Sequence, residues 1–261
     1  MPDQPSDQRE DWNAIAPTWD ESIAEGNDFQ KMLIVPVTDH LLCPEPGMRI
    51  LDACCGNGNY SRKLGQNRCE VIAFDGSSVM IDRAKKRTKP EHGNISFAVA
   101  DACDEQAVLD VIGNRPLDAA VSSMAFMDLP DILPLLRAVR ASLKPKAPFV
   151  FSVGHPCFHS NEAIKWATQT DGEGEASQSF GVLVMRYISD WKHSSRGLLN
   201  QPIPHTMWHR PISTLLRDCF AAGFVVDALE EPAFPPDTRM RSPFAWSRRP
   251  EIPPVLVVRL R

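Results

Sequence analysis

No stretch of this 261-residue chain is long and apolar enough to span a bilayer, and no basic segment followed by an apolar run opens it. Neither membrane insertion nor export is expected, so the cytoplasm is the expected compartment. The chain also lacks an excess of positive charge. Lys and Arg number 28 against 33 Asp and Glu, a net charge of -5, so bulk electrostatics lends no support to a nucleic-acid partner. The seven cysteines (Cys43, Cys54, Cys55, Cys69, Cys103, Cys157, Cys219) are odd in number and contain no C-x-x-C pair. A disulfide framework or structural zinc is therefore not expected, and several of these thiols sit in apolar patterns where they act as small hydrophobes. No break in composition is large enough for a second core. With 43% hydrophobic and 23% charged residues, the chain reads as one ordinary globular domain.

What the chain does contain is alternation of strand and helix patterns. Strand-like runs fall at Ile50–Ala53, Glu70–Phe74, Ile95–Val99, Leu117–Ser122, Phe149–Val153, Phe224–Leu229 and Val255–Leu260. Between them lie a helix capped by Ser77, an amphipathic helix over Asp131–Leu143, and a helix bearing Leu215, Leu216, Cys219 and Phe220 that Gly223 closes. This pattern predicts an α/β fold with a doubly wound, mostly parallel seven-stranded sheet and helices on both faces. Residues 1 to 10 read as a frayed start. Trp12, Ile15, Ala16 and Trp19 form a helical stripe broken by Pro17, which fits either a packed helix or an aromatic cap over a ligand mouth. A second helix is expected over Lys31–Leu42. The basic run Lys85, Lys86, Arg87 and Lys89 reads as a solvated helix end. His155 to His209 breaks the alternation and shows only one strand-like run, Val182–Ile188. An insertion of that length in such a domain reads as a lid or binding segment.

Asp52, Asp75 and Asp101 fall at or just past the ends of the first three strands, and Gly56 and Gly58 follow the first strand in a tight loop. Ligands of doubly wound sheets bind beyond the carboxyl ends of the strands. Carboxylates there repel phosphate, and the third glycine of a dinucleotide loop is replaced by Ser61. The groups suit a ligand with hydroxyls, an exocyclic amine and positive charge. S-adenosylmethionine has all three and no phosphate.

The sequence resembles the S-adenosylmethionine-dependent methyltransferases of the Rossmann-like class I family, small-molecule type, over roughly residues 45 to 155. Asp52-Ala-Cys-Cys-Gly-Asn-Gly58 matches the family's first motif except that Cys54 replaces a glycine, Val71–Met80 looks like the second, and Ala100-Asp-Ala102 resembles the third. The resemblance implies a cofactor site of Asp52, Ala53, Cys54, Gly56, Gly58, Asp75, Gly76, Met80, Asp101, Ala102 and Ser122. Asp75 would take the ribose hydroxyls, Met80 would lie near the adenine, and Asp101 would meet the adenine amine. The stretch from Ser122 to Met127 would meet the methionine portion. It also implies that one of the last two strands runs antiparallel. Residues 1–44 would form an N-terminal helical cap on a Rossmann-like domain of residues 45–261, with the inserted lid or substrate segment at about 155–209.

The expected activity is methyl transfer to an O, N or C atom of a small organic acceptor. The histidines of the irregular segment, His155, His159, His205 and His209, are the candidates for a general base or for substrate positioning; the two best placed are His155, directly after the fifth strand, and then His209, in a His-Arg-Pro segment of the kind that precedes the acceptor-pocket helix in small-molecule members. All four also read as loop histidines bonded to backbone or water. Trp19, Tyr187 and Trp208 are candidate acceptor contacts. No metal is expected, because His155, Cys157 and His159 lack the usual ligand spacing. A protein or RNA methyltransferase would need a basic face, for which Arg239, Arg241, Arg248 and Arg249 are the candidates. A non-catalytic S-adenosylmethionine-binding protein would keep the same pocket, while an NAD-dependent oxidoreductase conflicts with the aspartate loop. The sequence leaves the choice between monomer and homodimer open.

Overall fold

Leu51, Ile72, Phe74 and Ala120 feed one core and Ile50, Val71, Ala73 and Val121 another, so successive residues of a strand serve opposite faces of one sheet. A sheet buried on both sides needs apolar residues at nearly every position, which is why its strands stand out in the sequence. The computed structural model describes residues 8–160, 162–171, 176–198, 200–238 and 242–261. Its central sheet comprises β1 (Arg49–Ala53), β2 (Glu70–Asp75), β3 (Ile95–Val99), β4 (Ala119–Ser123), β5 (Phe149–Gly154), β10 (Val226–Glu230) and β11 (Val255–Leu260). The strand order is β10-β11-β5-β4-β1-β2-β3. Only β11 is reversed, pairing antiparallel with both β5 and β10, while the other pairs are parallel. This is the expected doubly wound seven-stranded sheet with one antiparallel strand.

Helices α2 (Val35–Leu42) and α3 (Asn59–Gln66) close one core, and α5 (Glu105–Ile112), α6 (Leu133–Ser142) and α7 (Ile212–Ala221) close the other. Helix α4 (Ser78–Arg87) packs on β2 and β3, and α1 (Gln8–Ile23) packs on α4. The sheet reverses its winding between β1 and β4, which opens a crevice at the carboxyl end of β1.

Four features differ from the sequence reading. Residues 8 to 10 already belong to α1, and Pro17 lies inside that helix without ending it. Proline there removes a backbone hydrogen bond, but Asp20, three residues on, ties the helix to α4 through Arg83 and Arg87. Arg87 is accordingly a clamp, not part of a solvated basic run. Helix α5 is additional: Asp104 caps it by accepting from the backbone N–H of Gln106 and Ala107, and Val108 and Ile112 bury its inner face. The insertion holds two hairpins, β6 (Ala163–Asp171) with β7 (Ala176–Val184) and β8 (Trp191–Ser195) with β9 (His205–His209), where a single strand over Val182–Ile188 was expected.

Candidate active site

The end of β1 turns sharply into α3. Cys54, Gly56 and Gly58 all have left-handed backbone, with φ of +57°, +55° and +73°. For a non-glycine residue this conformation costs about 1–2 kcal/mol, so Cys54 holds the turn that a glycine would make without strain. Gly58 sits in a tight place, since a Cβ there would lie 3.0 Å from the Phe97 ring and 3.1 Å from Ala84 Cβ. Gly56 is different: a Cβ there would meet no protein atom within 4 Å, and the space beside it is open. The loop is held from β2. Gly56 N–H donates to Asp75 Oδ2 and Ser77 N–H donates to Asp75 Oδ1, both at 2.9 Å.

The open space is a cavity of about 520 Å³. Five carboxylates line it: Asp20, Asp52, Asp75, Asp101 and Asp128. Burial lifts the Asp52 carboxyl to about 7, with Asp75 adding to the rise, and the hydrogen bond donated by Ser61 Oγ opposes it. Burial also raises Asp75, against the two backbone N–H groups that favour its ionised form, and raises Asp128. Asp20 goes the other way. Burial alone would raise it, but Arg87, Arg83 and Asn57 together bring it down to about 2. A cation placed among these carboxyls would favour their ionised forms and oppose the rise that burial causes.

The flanking segments meet over this cavity. Trp12 and Trp19 of α1 line it, and their rings lie 5.1 and 6.4 Å from that of His205 on β9. Trp19 Nε1 donates to Gln201 Oε1 at 3.0 Å, and Gln201 Nε2 lies 2.9 Å from His205 Nδ1. His205 Nε2 in turn stands 3.4 Å from Asp128 Oδ1, an oxygen with no hydrogen-bond partner of standard geometry.

Residues 50–146, the stretch that holds the strand-end aspartates and the glycine loop, match the family described as methyltransferase domain. This stretch is similar to a methyltransferase domain, and the sheet that carries it has the Rossmann-like strand order. Over 114 residues the chain is 32% identical to the magnesium-protoporphyrin O-methyltransferase of Rhodobacter capsulatus, covering 43% of this chain and 47% of that protein. Over 107 residues it is 30% identical to the 2-phytyl-1,4-naphtoquinone methyltransferase of Synechococcus elongatus, covering 40% and 44%. The matched stretch thus spans about half the length of these curated relatives. The crystal structure of an S-adenosylmethionine dependent methyltransferase from Mesorhizobium loti shares the fold, with a TM-score of 0.60 at 24% identity over 87% of this chain and 96% of that one.

Within the matched stretch, Asp52, Cys54, Gly56, Asp75, Gly76, Met80, Asp101 and Ala102 line the cavity, as do Trp19 and Trp208 outside it. Ala53 and Ser122 are fully buried and lie off the cavity wall, while the next serine, Ser123, is on it. The alternation of a strand explains the difference: Ser122 and Ser123 face opposite ways. Gly58 also lies off the wall, behind the loop.

Neither of the two best-placed histidines reaches this cavity. His155 is buried, accepts from Cys157 N–H at Nδ1, and places Nε2 2.8 Å from Glu231 Oε1. Its ring is thereby fixed as a brace between the loop after β5 and the end of β10. His209 Nε2 lies 2.7 Å from the Tyr187 carbonyl, and its ring stacks on Trp191. His209 and Trp208 line a second, smaller cavity of about 240 Å³. Tyr187 lines neither; its hydroxyl accepts from Ile212 N–H at the start of α7. Arg210, between His209 and α7, donates to the carbonyls of Phe126, Leu129 and Pro130 and so fixes the loop after β4.

Asp128 was absent from the sequence reading, and His205 was named only among the four histidines of the irregular segment, behind His155 and His209. Asp128 stands one residue past the stretch expected to meet the methionine portion, and its place behind the fourth strand was the available signal. Nothing in the sequence set His205 ahead of the other three, because its partners come from α1 and from the loop after β4.

Proposed function

We propose that this protein transfers a methyl group from S-adenosylmethionine to a compact organic molecule in the cytoplasm. The observation that carries this reading is the ring of five carboxylates around the open space at Gly56. The residues fit the cofactor: Asp75 for the ribose hydroxyls, Met80 and Ala102 for the adenine ring, Asp101 for its amine, and Asp52 for positive charge. When bound, the cofactor supplies an electrophilic methyl group on a positively charged sulfur. Trp12 and Trp19, held on α1 by the Asp20 clamp, exclude water from that side.

Asp128 is the carboxylate suited to take a proton from an acceptor O–H or N–H. Its pKa is raised by burial, and its turn, Phe126–Asp128, also contributes Phe126 and Met127 to the second cavity. Asp128→Asn is expected to lower kcat about 100-fold with little change in cofactor affinity. His155→Ala is expected to leave kcat within about threefold while lowering Tm, because His155 braces and does not face the cavity.

Two observations support a small acceptor over a protein or RNA. The relatives above are named for a porphyrin and a naphthoquinone. The basic face that a polyanion needs is weak: Arg249 is buried, with its guanidinium donating to the carbonyls of Gly181, Trp166, Pro243 and Ala245. Arg248 is exposed, and Arg239 and Arg241 lie outside the described residues.

Calorimetric titration with S-adenosylmethionine, S-adenosylhomocysteine and NAD tests the cofactor. The first two are expected to bind and NAD is not; binding of NAD alone would overturn the reading. Formation of S-adenosylhomocysteine against a metabolite panel, compared with RNA and peptide panels, then tests the acceptor class.

A further inference from the structure

The second cavity differs from the first in its chemistry. No carboxylate is among its lining residues, and its walls include Phe126, Met127, Leu215 and Trp208. Its volume of about 240 Å³ is below the ~300–1,000 Å³ of sites for drug-sized ligands, so it suits a compact molecule.

Among the described residues, three polar side chains on its wall make no hydrogen bond or ion pair. Both ring nitrogens of His193 are shielded from solvent and make no hydrogen bond, and the same holds for Ser160 Oγ. Burial, with repulsion from His205 and His209, holds His193 down at about 4, so its imidazole is neutral and offers one donor and one acceptor. Leaving such groups unpaired costs about 1–3 kcal/mol each, which a ligand recovers when the side chains turn to pair with it. Arg196 is the third. It is exposed at the cavity and makes no ion pair or side-chain hydrogen bond among the described residues, whereas Arg210 on the same wall has given its donors to backbone carbonyls.

We infer that the second cavity anchors the methyl acceptor, and that the acceptor is a compact ring compound bearing a carboxylate, held by Arg196 and by hydrogen bonds from His193 and Ser160. The ring lies against the apolar wall, and Trp208, which lines both cavities, forms the boundary with the methyl donor. This assignment rests on the cofactor reading of the first cavity. An acid-lined cavity holding the cation next to an acid-free cavity with a spare arginine sorts the two ligands by charge.

The test is calorimetric titration with salicylate and 2-naphthoate, and with salicylamide and 2-naphthamide as uncharged counterparts, each run with and without saturating S-adenosylhomocysteine. At least one carboxylate is expected to bind at least about tenfold more tightly than its amide, and to bind together with S-adenosylhomocysteine. Arg196→Gln is expected to weaken the carboxylate about fivefold and His193→Phe about tenfold, with His193→Gln restoring most of the loss. Affinity for S-adenosylhomocysteine should stay unchanged in all three variants, which also shows that they fold. Equal binding of acids and amides, no binding of either acid at millimolar concentration, indifference to Arg196→Gln, or competition with S-adenosylhomocysteine would each overturn the inference. Failure of S-adenosylhomocysteine itself to bind is a separate result that rejects the cofactor reading, and the carboxylate titrations remain readable without it.

Discussion

The two cavities share Trp208 and the turn Phe126–Asp128, yet they differ in charge and in construction. The first is walled by the ends of parallel strands and carries five aspartates; the second is walled by the β8–β9 hairpin and the loop after β5, and carries none. Strand ends are fixed by the hydrogen-bond ladders and by two packed cores, so the first cavity is built from the most constrained part of the molecule. Hairpins rooted at the surface can change length and side chains without disturbing that frame. Under the proposed function, the common step belongs to the sheet and the choice of partner to the insertion.

The comparison breaks most readily at Asp75. Asp75→Ala removes the acceptor for two loop N–H groups, and affinity for S-adenosylmethionine is expected to fall about 100-fold or more, while carboxylate binding in the second cavity stays within about twofold. If calorimetry shows both affinities collapsing together, the cavities are not separable. Next in size is Asp20→Ala, which unpairs Arg83 and Arg87 and frees α1. A stability loss of about 2 kcal/mol in urea titration is expected, below the ~3–5 kcal/mol of a fully buried pair because both arginines keep some exposure. The pH dependence has a definite sign. Asp20 titrates at about 2 when folded, below its ordinary 3.8, so its contribution is present above pH 4 and is lost as pH falls toward 2.

Asp52 titrates in the opposite sense. Its folded pKa of about 7 lies above the ordinary 3.8, so the folded chain keeps a proton that the unfolded chain loses, and stability falls as pH rises from about 4 to about 7. A bound cation reverses this preference. Affinity for S-adenosylmethionine should therefore rise as pH climbs to about 7 and then level, with a proton released on binding. Titrations in buffers of different ionisation heat will show that release, and Asp52→Asn should abolish it. The smallest effect is expected at Cys54. Cys54→Gly relieves the left-handed strain but frees the unfolded chain, so Tm should move by the equivalent of less than about 1 kcal/mol and cofactor affinity should hold.

The sequence made the first cavity legible because its chemistry recurs at a fixed structural position. Asp52, Asp75 and Asp101 each end an apolar run, and a fully buried parallel strand is the easiest element to read. Asp20 was hidden by the opposite circumstance: its partners Arg83 and Arg87 lie over sixty residues away, in a run that by itself reads as solvated. The hairpins were missed for a further reason. β6 and β7 are largely exposed, with Trp166 of β6 stacked over Gly181 of β7, so neither face carries the apolar run that marks a strand. Arg249, which ties that pair down through backbone carbonyls and lies over the Phe180 ring, forms no ion pair among the described residues whose spacing could have revealed it. His193 and Arg196 are conspicuous only as groups without partners, a property that exists only once the chain has folded.

Trp208 belongs to both walls, so two ligands bound at once, as proposed, would meet the same indole. A ligand that fixes the indole in one cavity leaves less rotational freedom to be lost when the other fills. Linkage requires the effect to be mutual: whatever factor the donor adds to the acceptor's affinity, the acceptor adds to the donor's. One side chain shared between two rooms is enough to make occupancy of each a signal to the other.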